Sequence, residues 1–484
     1  MAAARPLRAA VVGAGPSGIA AARALLEEGI TPVVFEQGDR IGGNWVFRPE
    51  VGHSSVYRTT HIISSKTLSA YDDFPMPDDY PDYPSHAQLA AYFEAYARRF
   101  GVERHVRFGS TVVAAVPVGE GRWRVRWRTD AGERDGRSDP CRTSAGHGWP
   151  VRESSTQGLD SAKPRPDLRP TRRGLASPGW TGPDPSEDTF DALLVANGHH
   201  HVPNIPEYPG HFDGEVLHSH AYKDAAPFAG RRVLVVGCGN SACDVAVEVS
   251  RVAEHVALSV RRGQHILPKF LFGRPGDVNH ARIAWLPWRI RQWLLGLVIR
   301  IVQGRYADYG LPEPECGVLE MHPTLNSELL YFIRHGKVHP RPGIARLDGD
   351  AVVYTDGRRE AFDTIVWATG YRMRFPFLAP EITPWQDADR VPLYRKMIPA
   401  EHPGLYFIGL FQPLGCIWPL AEHQGRIAAR AISGRWQRPP DLAARIAHEM
   451  AHPHYPFQRT RRHATEVDYH RFRRELLAEL ARSR

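Results

Sequence analysis

Twice in this 484-residue chain a short apolar run breaks at a glycine-rich turn, enters a helical stretch, and is followed by a charged residue at a fixed distance. The first turn is Gly13-Ala14-Gly15-Pro16-Ser17-Gly18, with Glu36 eighteen residues past Gly18. The second is Gly237-Cys238-Gly239-Asn240-Ser241-Ala242, with Arg261 nineteen residues past Ala242 and Arg262 next to it. Residues 9–12 and 32–35 read as buried strands, and Ile19, Leu25 and Leu26 give the stretch 17–28 helical spacing. The same grammar recurs over 233–236, 241–251 and 256–260. Strand, glycine turn, helix and strand open a dinucleotide-binding unit, because the helix N-terminus offers free N–H groups to a pyrophosphate and glycine lets the backbone approach it. The fold class predicted is α/β with two Rossmann-like domains.

The charges separate the two ligands. A carboxylate accepts ribose hydroxyls and repels a 2′-phosphate, whereas arginine attracts that phosphate. The first site is therefore expected to hold FAD through Gly13, Ala14, Gly15, Pro16, Ser17, Gly18 and Glu36. The second is expected to hold NADPH through Gly237, Gly239, Asn240, Ser241 and Asp244, with Arg261 the first reader of the phosphate and Arg262 the second. Gly42-Gly43-Asn44-Trp45 follows Glu36 closely, which assigns Gly43, Asn44 and Trp45 to the flavin side of FAD.

The length allows two or three domains with ample core. The net charge of +8 is concentrated at the end, where residues 435–484 hold 11 Arg against 6 acidic residues. No aromatic-interleaved module accompanies that charge, so a solvated basic helical tail is expected rather than a nucleic-acid surface. Five cysteines form no CxxC pair, and residues 1–8 contain no apolar signal core, which predicts a reduced, cytosolic protein. Cys238 and Cys243 read as packing residues of the second turn. His199–His201, His218 and His220 lack the carboxylates or thiolates of a metal site, and none is assigned. Residues 130–189 are rich in Gly, Ser, Pro and Arg and read as a mobile insertion. The apolar stretch 283–302 is interrupted by Arg289, Arg291 and Arg300, so it is not a membrane span. Arg289, Gln292, Gly296, Arg300 and Gln303 draw one polar stripe on it, which predicts a helix buried on most sides and covering the active-site entrance, with membrane contact disfavoured.

Residues 212–222, Phe-Asp-Gly-Glu-Val-Leu-His-Ser-His-Ala-Tyr, resemble the FxGxxxHxxxY fingerprint of flavin-containing monooxygenases. Further stretches similar to that family are 73–77 with 79–81, 196–200, 319–324, 367–371 and 407–410. The resemblance implies an FAD-binding domain over 1–210, an NADPH-binding domain inserted at 215–345 with substrate-covering helices at 270–309, completion of the FAD domain over 351–434, and the basic tail at 435–484. It also implies the chemistry: reduced flavin captures O₂ as a C4a-hydroperoxide, NADP⁺ stays bound, and nitrogen or sulfur of a small amine or sulfide takes the terminal oxygen. No side-chain acid or base is assigned, and a homodimer is compatible with the sequence. Tyr222 followed by Lys223 favours heteroatom oxygenation over the Baeyer–Villiger ketone chemistry of relatives that end the pattern in tryptophan. Ile62 and Ile63 occupy the place where the family commonly carries Thr-Asn or Ser-Asn. Isoleucine offers no hydrogen bond, so either Ser64 or His61 supplies the contact or the oxygenated flavin is short-lived; the extreme of the second case is an uncoupled NADPH oxidase or flavin redox sensor.

Overall fold

The computed structural model describes residues 5–50, 52–129 and 185–483. Strand β1 (Arg8–Val12), helix α1 (Pro16–Glu27) and strand β2 (Thr31–Phe35) form the opening unit, and β3 (Val106–Arg107) extends the sheet. An antiparallel layer follows, β4 (Ser110–Pro117), β5 (Trp123–Thr129) and β6 (Ser186–Phe190), before β7 (Ala192–Val195) returns beside β1. The first parallel sheet runs Leu405–Phe407, β7, β1, β2, β3. Alternation along β1 decides its two faces: Ala9 and Val11 pack with Ala21 and Leu25 of α1, while Ala10 and Val12 pack with Trp123, Val125 and Phe190 of the antiparallel layer.

The second domain repeats this plan. Strands β8 (Glu215–His218), β9 (Arg232–Val236) and β10 (His255–Ser259) carry α2 (Asn240–Val249) between the last two. Helices α3 (Gly276–Arg282) and α4 (Trp288–Gln303) precede β11 (His339–Arg341), a three-stranded meander of β12 (Ile344–Asp348), β13 (Ala351–Tyr354) and β14 (Arg359–Ala361), and then β15 (Thr364–Trp367). The second parallel sheet is ordered β11, β10, β9, β15, β8. Val233 and Val235 face α2, and Leu234 and Val236 face the meander through Val352 and Tyr354. The chain then re-enters the first sheet as β16 (Leu405–Phe407), followed by α5 (Trp418–Ile432) against α1. A Cβ on Gly425 of α5 would stand 2.8 Å from Ala21 Cα, so glycine sets that close helix contact.

Four expectations need correction. Residues 351–367 do not belong to the first domain: β13 and β14 cover the second sheet, and β15 pairs with both β9 and β8 in it. The apolar Ile365-Val366-Trp367 run needs parallel neighbours on each side, and the second sheet supplies them. The segment after 435 is not a solvated tail. Helix α6 (Tyr469–Arg482) buries Tyr469, Phe472 and Leu476 against α5, because apolar residues at helical spacing are hidden among its arginines. Residues 186–189, expected in the insertion, lie in β6; residues 130–184 and Cys141 fall outside the described residues.

The fourth correction concerns α4. Only Arg291 and Ile299 of this helix are buried, while Trp293 is 65% and Ile301 75% exposed. Polar contacts pull the opposite side inward: Arg291 pairs with Asp468 at 3.3 Å, and Gln292 donates to Glu320 at 2.9 Å. No helix among the described residues is long and apolar enough to cross a membrane.

Candidate cofactor and active site

Each glycine turn is shaped by contacts that admit no side chain. Gly13 has φ +102°, and a Cβ there would stand 2.7 Å from the Ala196 carbonyl oxygen. Gly18 packs α1 onto the turn so tightly that a Cβ would meet the Gly13 oxygen at 1.9 Å. Gly15 is the N-cap of α1 and brings no capping side chain, with Pro16 after it, so the first N–H groups of the helix stay available to an anion. Ser17 packs against Gly409, where a Cβ would stand 2.3 Å from its hydroxyl. At the second site Gly237 has φ +129°, its Cβ would stand 2.4 Å from the Ala368 oxygen, and Gly239 is the uncapped N-cap of α2. Ala196-Asn197-Gly198 and Ala368-Thr369-Gly370 thus close the two turns in the same manner, each following the strand beside the turn's own strand. Two cradles for a diphosphate fit this chain.

Glu36 ends β2 in a buried position and holds the first turn: Oε2 accepts the Ala14 N–H at 2.8 Å and Oε1 the Gly38 N–H at 2.7 Å. Burial pushes its pKa up against the lowering by those two N–H groups and Arg48. A carboxylate has about four acceptor positions, so lone pairs remain for ribose hydroxyls. Gly43 is pressed onto the turn, where a Cβ would stand 2.9 Å from Gly15 Cα, which brings Asn44 and Trp45 to the same mouth. Asn44 Oδ1 accepts the Ser55 N–H at 2.7 Å and the Ser55 hydroxyl at 2.9 Å, and Trp45 stands edge-on to Trp418 at 5.7 Å.

Other expected residues are distributed differently. Ile62 is buried in the core of the first domain and donates its N–H to Pro84, so its side chain is packing. Ile63 is half-buried and outside the apolar clusters. His61 is exposed with Nδ1 bonded to the Thr59 carbonyl at 2.8 Å, and the buried Ser64 hydroxyl bonds to Ser69 at 2.8 Å. Asp244 is turned away from the second turn's opening: it accepts from the Tyr57 hydroxyl at 2.8 Å and Asn326 Nδ2 at 2.7 Å, which ties the two domains. Asn240 Oδ1 accepts the Leu325 N–H at 2.8 Å, and Ser241 stays half-buried at the start of α2. Arg261 and Arg262 are exposed just past β10, and neither has a partner among the described residues.

The fingerprint segment is a joint between the domains. His218 Nε2 donates to the Gly370 carbonyl at 3.0 Å while Nδ1 accepts the His220 N–H at 3.1 Å, which sets one neutral tautomer; burial lowers its pKa to about 4. His220 reaches the Gly52 carbonyl at 2.5 Å, Lys223 Nζ donates to the Ser54 carbonyl at 2.8 Å, and Tyr222 stacks edge-on with Tyr57. Over the 62–85 region, the Ser65 N–H donates to Asp277 of α3 at 2.6 Å and the Tyr83 hydroxyl to the Lys269 carbonyl at 2.5 Å.

A family model of flavin-binding monooxygenase-like proteins matches residues 7–147 and 182–482. The chain belongs to that family. This flavin monooxygenase is 33% identical to flavin-containing monooxygenase 5 of Rattus norvegicus over 487 aligned residues, covering 96% of this chain and 80% of that protein. It is also 33% identical to dimethylaniline monooxygenase [N-oxide-forming] 2 of Oryctolagus cuniculus, covering 88% and 73%. Among solved structures, S-allyl-L-cysteine S-oxygenase of Allium sativum shares the fold with a TM-score of 0.63 at 22% identity, over 99% of this chain and 89% of that one. Cyclohexanone monooxygenase from Rhodococcus sp. Phi1, bound to NADP⁺, does so with 0.62 at 17%, over 99% and 98%. The family is one of flavin-binding proteins.

Sequence reading overlooked the residues that hold the named ones in place. Ser55 orients Asn44, Asn326 pairs with Asp244, and Gln424 accepts the Gly409 N–H at 2.8 Å. Each lies far along the chain from its partner or carries no motif of its own, so no local pattern marks it.

Proposed function

We propose that this enzyme transfers one oxygen atom of O₂ to a nitrogen or sulfur atom of a small organic molecule, with FAD on the first glycine turn and NADPH on the second. One observation carries the reading: a single chain of this family holds two equivalent turns, each closed by its own Ala-X-Gly segment, with a buried carboxylate beside one and, beside the other, two arginines that have no partner among the described residues. Heteroatom chemistry is supported by the names of an N-oxide-forming relative and an S-oxygenase neighbour, and by Tyr222 closing the fingerprint.

When bound, FAD supplies the redox chemistry that divides O₂ between product and water. The chain supplies binding and exclusion. Glu36 takes the ribose of FAD, the N-termini of α1 and α2 take the two pyrophosphates, and Arg261, then Arg262, take the 2′-phosphate. Asn44, held by Ser55, and Trp45 shape the flavin side, while α3, anchored through Asp277, keeps water from the 62–66 segment. A cytoplasmic location belongs to this reading and is supported by the free thiols of Cys238, Cys243, Cys316 and Cys416.

The test is turnover of the FAD-loaded enzyme with NADPH and ¹⁸O₂ on a tertiary amine, a thioether and a cyclic ketone, read by mass spectrometry. The expected products are a singly labelled N-oxide or sulfoxide. A labelled lactone as the sole product, or peroxide with no oxygenated product, overturns the proposal.

A further inference from the structure

A cation from the far end of the chain reaches the second glycine turn. A Cβ on Gly239 would stand 3.7 Å from Arg462 Nη2, so this guanidinium lies against the N-cap residue of α2. Arg462 has no hydrogen-bond or ion-pair partner in the described structure and feels Glu466 only at longer range. Its side chain stays solvent-accessible, yet protein crowds the guanidinium and desolvation pulls its pKa down. An exposed guanidinium with no anion beside it in the described structure is open to an anionic ligand at the start of α2.

The segment carrying Arg462 is fastened to the first domain. Arg461 pairs with Asp387 at 3.5 Å, the Thr460 hydroxyl bonds to His463 Nδ1 at 2.8 Å, and the Gln412 N–H donates to the Thr465 carbonyl at 2.9 Å. Glu466–Val467 then pairs in parallel with Gln412–Pro413, just past β16 of the first sheet. On the other side, the turn's own polar groups are committed away from its opening: Asn240 Oδ1 to the Leu325 N–H and the Cys238 carbonyl to the Thr324 hydroxyl. What faces Arg462 is the uncapped start of α2.

We infer that Arg462 binds the pyrophosphate of NADPH, so that the C-terminal segment, anchored on the first domain, clamps the second cofactor from outside its own domain. This rests on the reading that the second turn takes NADPH. A planar guanidinium with several donors complements diphosphate oxygens, and the helix N-terminus contributes from the opposite side.

The experiment measures equilibrium binding of NADP⁺ and of 2′-AMP to the FAD-loaded enzyme by calorimetry. NADP⁺ carries the pyrophosphate, whereas 2′-AMP carries the 2′-phosphate alone. Arg462→Ala is expected to weaken NADP⁺ roughly tenfold to hundredfold, the span of one charged hydrogen bond, and to leave 2′-AMP within about twofold. Arg462→Gln, which keeps most of the stem, should show the same split, and Arg462→Lys should recover part of the NADP⁺ affinity. Unchanged NADP⁺ binding, or equal losses for both ligands, overturns the inference while the NADPH reading stands. Failure of the unaltered enzyme to bind NADP⁺ overturns both.

Discussion

Arg261 emerges one residue past the buried Val260, and its stem lies over Gly343, where a Cβ would stand 3.4 Å from Arg261 Cγ. Nothing in the described structure engages its guanidinium. Arg261→Ala should therefore raise KM for NADPH at least about tenfold and leave KM for NADH nearly unchanged, measured as steady-state flavin reduction. Equal rises for both coenzymes would exclude a phosphate-reading role. Glu36 differs in kind, because its carboxylate supports the backbone as well as facing a ligand. Its bonds to the Ala14 and Gly38 N–H groups mean that truncation leaves two donors without their partner. Arg261 reads a ligand at little cost to the fold, whereas Glu36 cannot be removed without loosening the turn.

At the scale of elements, α4 turns inward a side on which polar and apolar residues are mixed. The side carrying Arg291, Gln292, Leu295 and Ile299 turns inward, through the Asp468 and Glu320 contacts and an apolar cluster, while Trp293, Leu297, Ile301 and Val302 face outward beside the exposed Arg289 and Arg300. Replacing both Trp293 and Ile301 by serine should change the unfolding free energy by less than about 1 kcal/mol in denaturant titration, since neither side chain is part of a core cluster. Arg291→Ala should cost more, about 3 kcal/mol, because it strips the buried Asp468 carboxylate of its cation. If the serine pair proves the more destabilising, the orientation of α4 described here is wrong. The fingerprint strand β8 and the residues after it are likewise read best as an element: they bolt the second domain to residues 52–58 of the first.

At the scale of the whole molecule, buried histidines govern the response to acid. His201, His218, His280, His423 and His463 are each pushed down to about 4 from the ordinary 6.5, in every case chiefly by desolvation. Between those values the unfolded chain binds more protons than the folded one, so stability is fully present above 6.5 and is lost as pH falls towards 4. Buried carboxylates such as Glu36 and Asp244 are pushed up and act in the opposite sense, yet near and above their own lower range. The melting temperature should be flat from pH 8 to 7 and fall continuously below 6.5. His218→Asn should shallow that fall, and a melting temperature constant down to pH 5 would contradict the account.

The two glycine turns, their order and the charges after them were legible in the chain because each signal is local: a turn at positive φ, a helix start and a strand end lie within some twenty-five residues. Family membership was legible too, through several short motifs spread along the chain. Three-dimensional packing settled what no local pattern encodes. Which sheet claims Thr364–Trp367 depends on the strands available to pair with it, and which side of α4 turns inward depends on Asp468 and Glu320 far along the chain. Asp244 shows the same limit, since its bonds to Tyr57 and Asn326, which tie the two domains, have no local signal in the sequence. Local conformation follows from short stretches of covalent chemistry, whereas burial and partnership follow from contacts across hundreds of residues, whose choice is made by the shape of the assembled core.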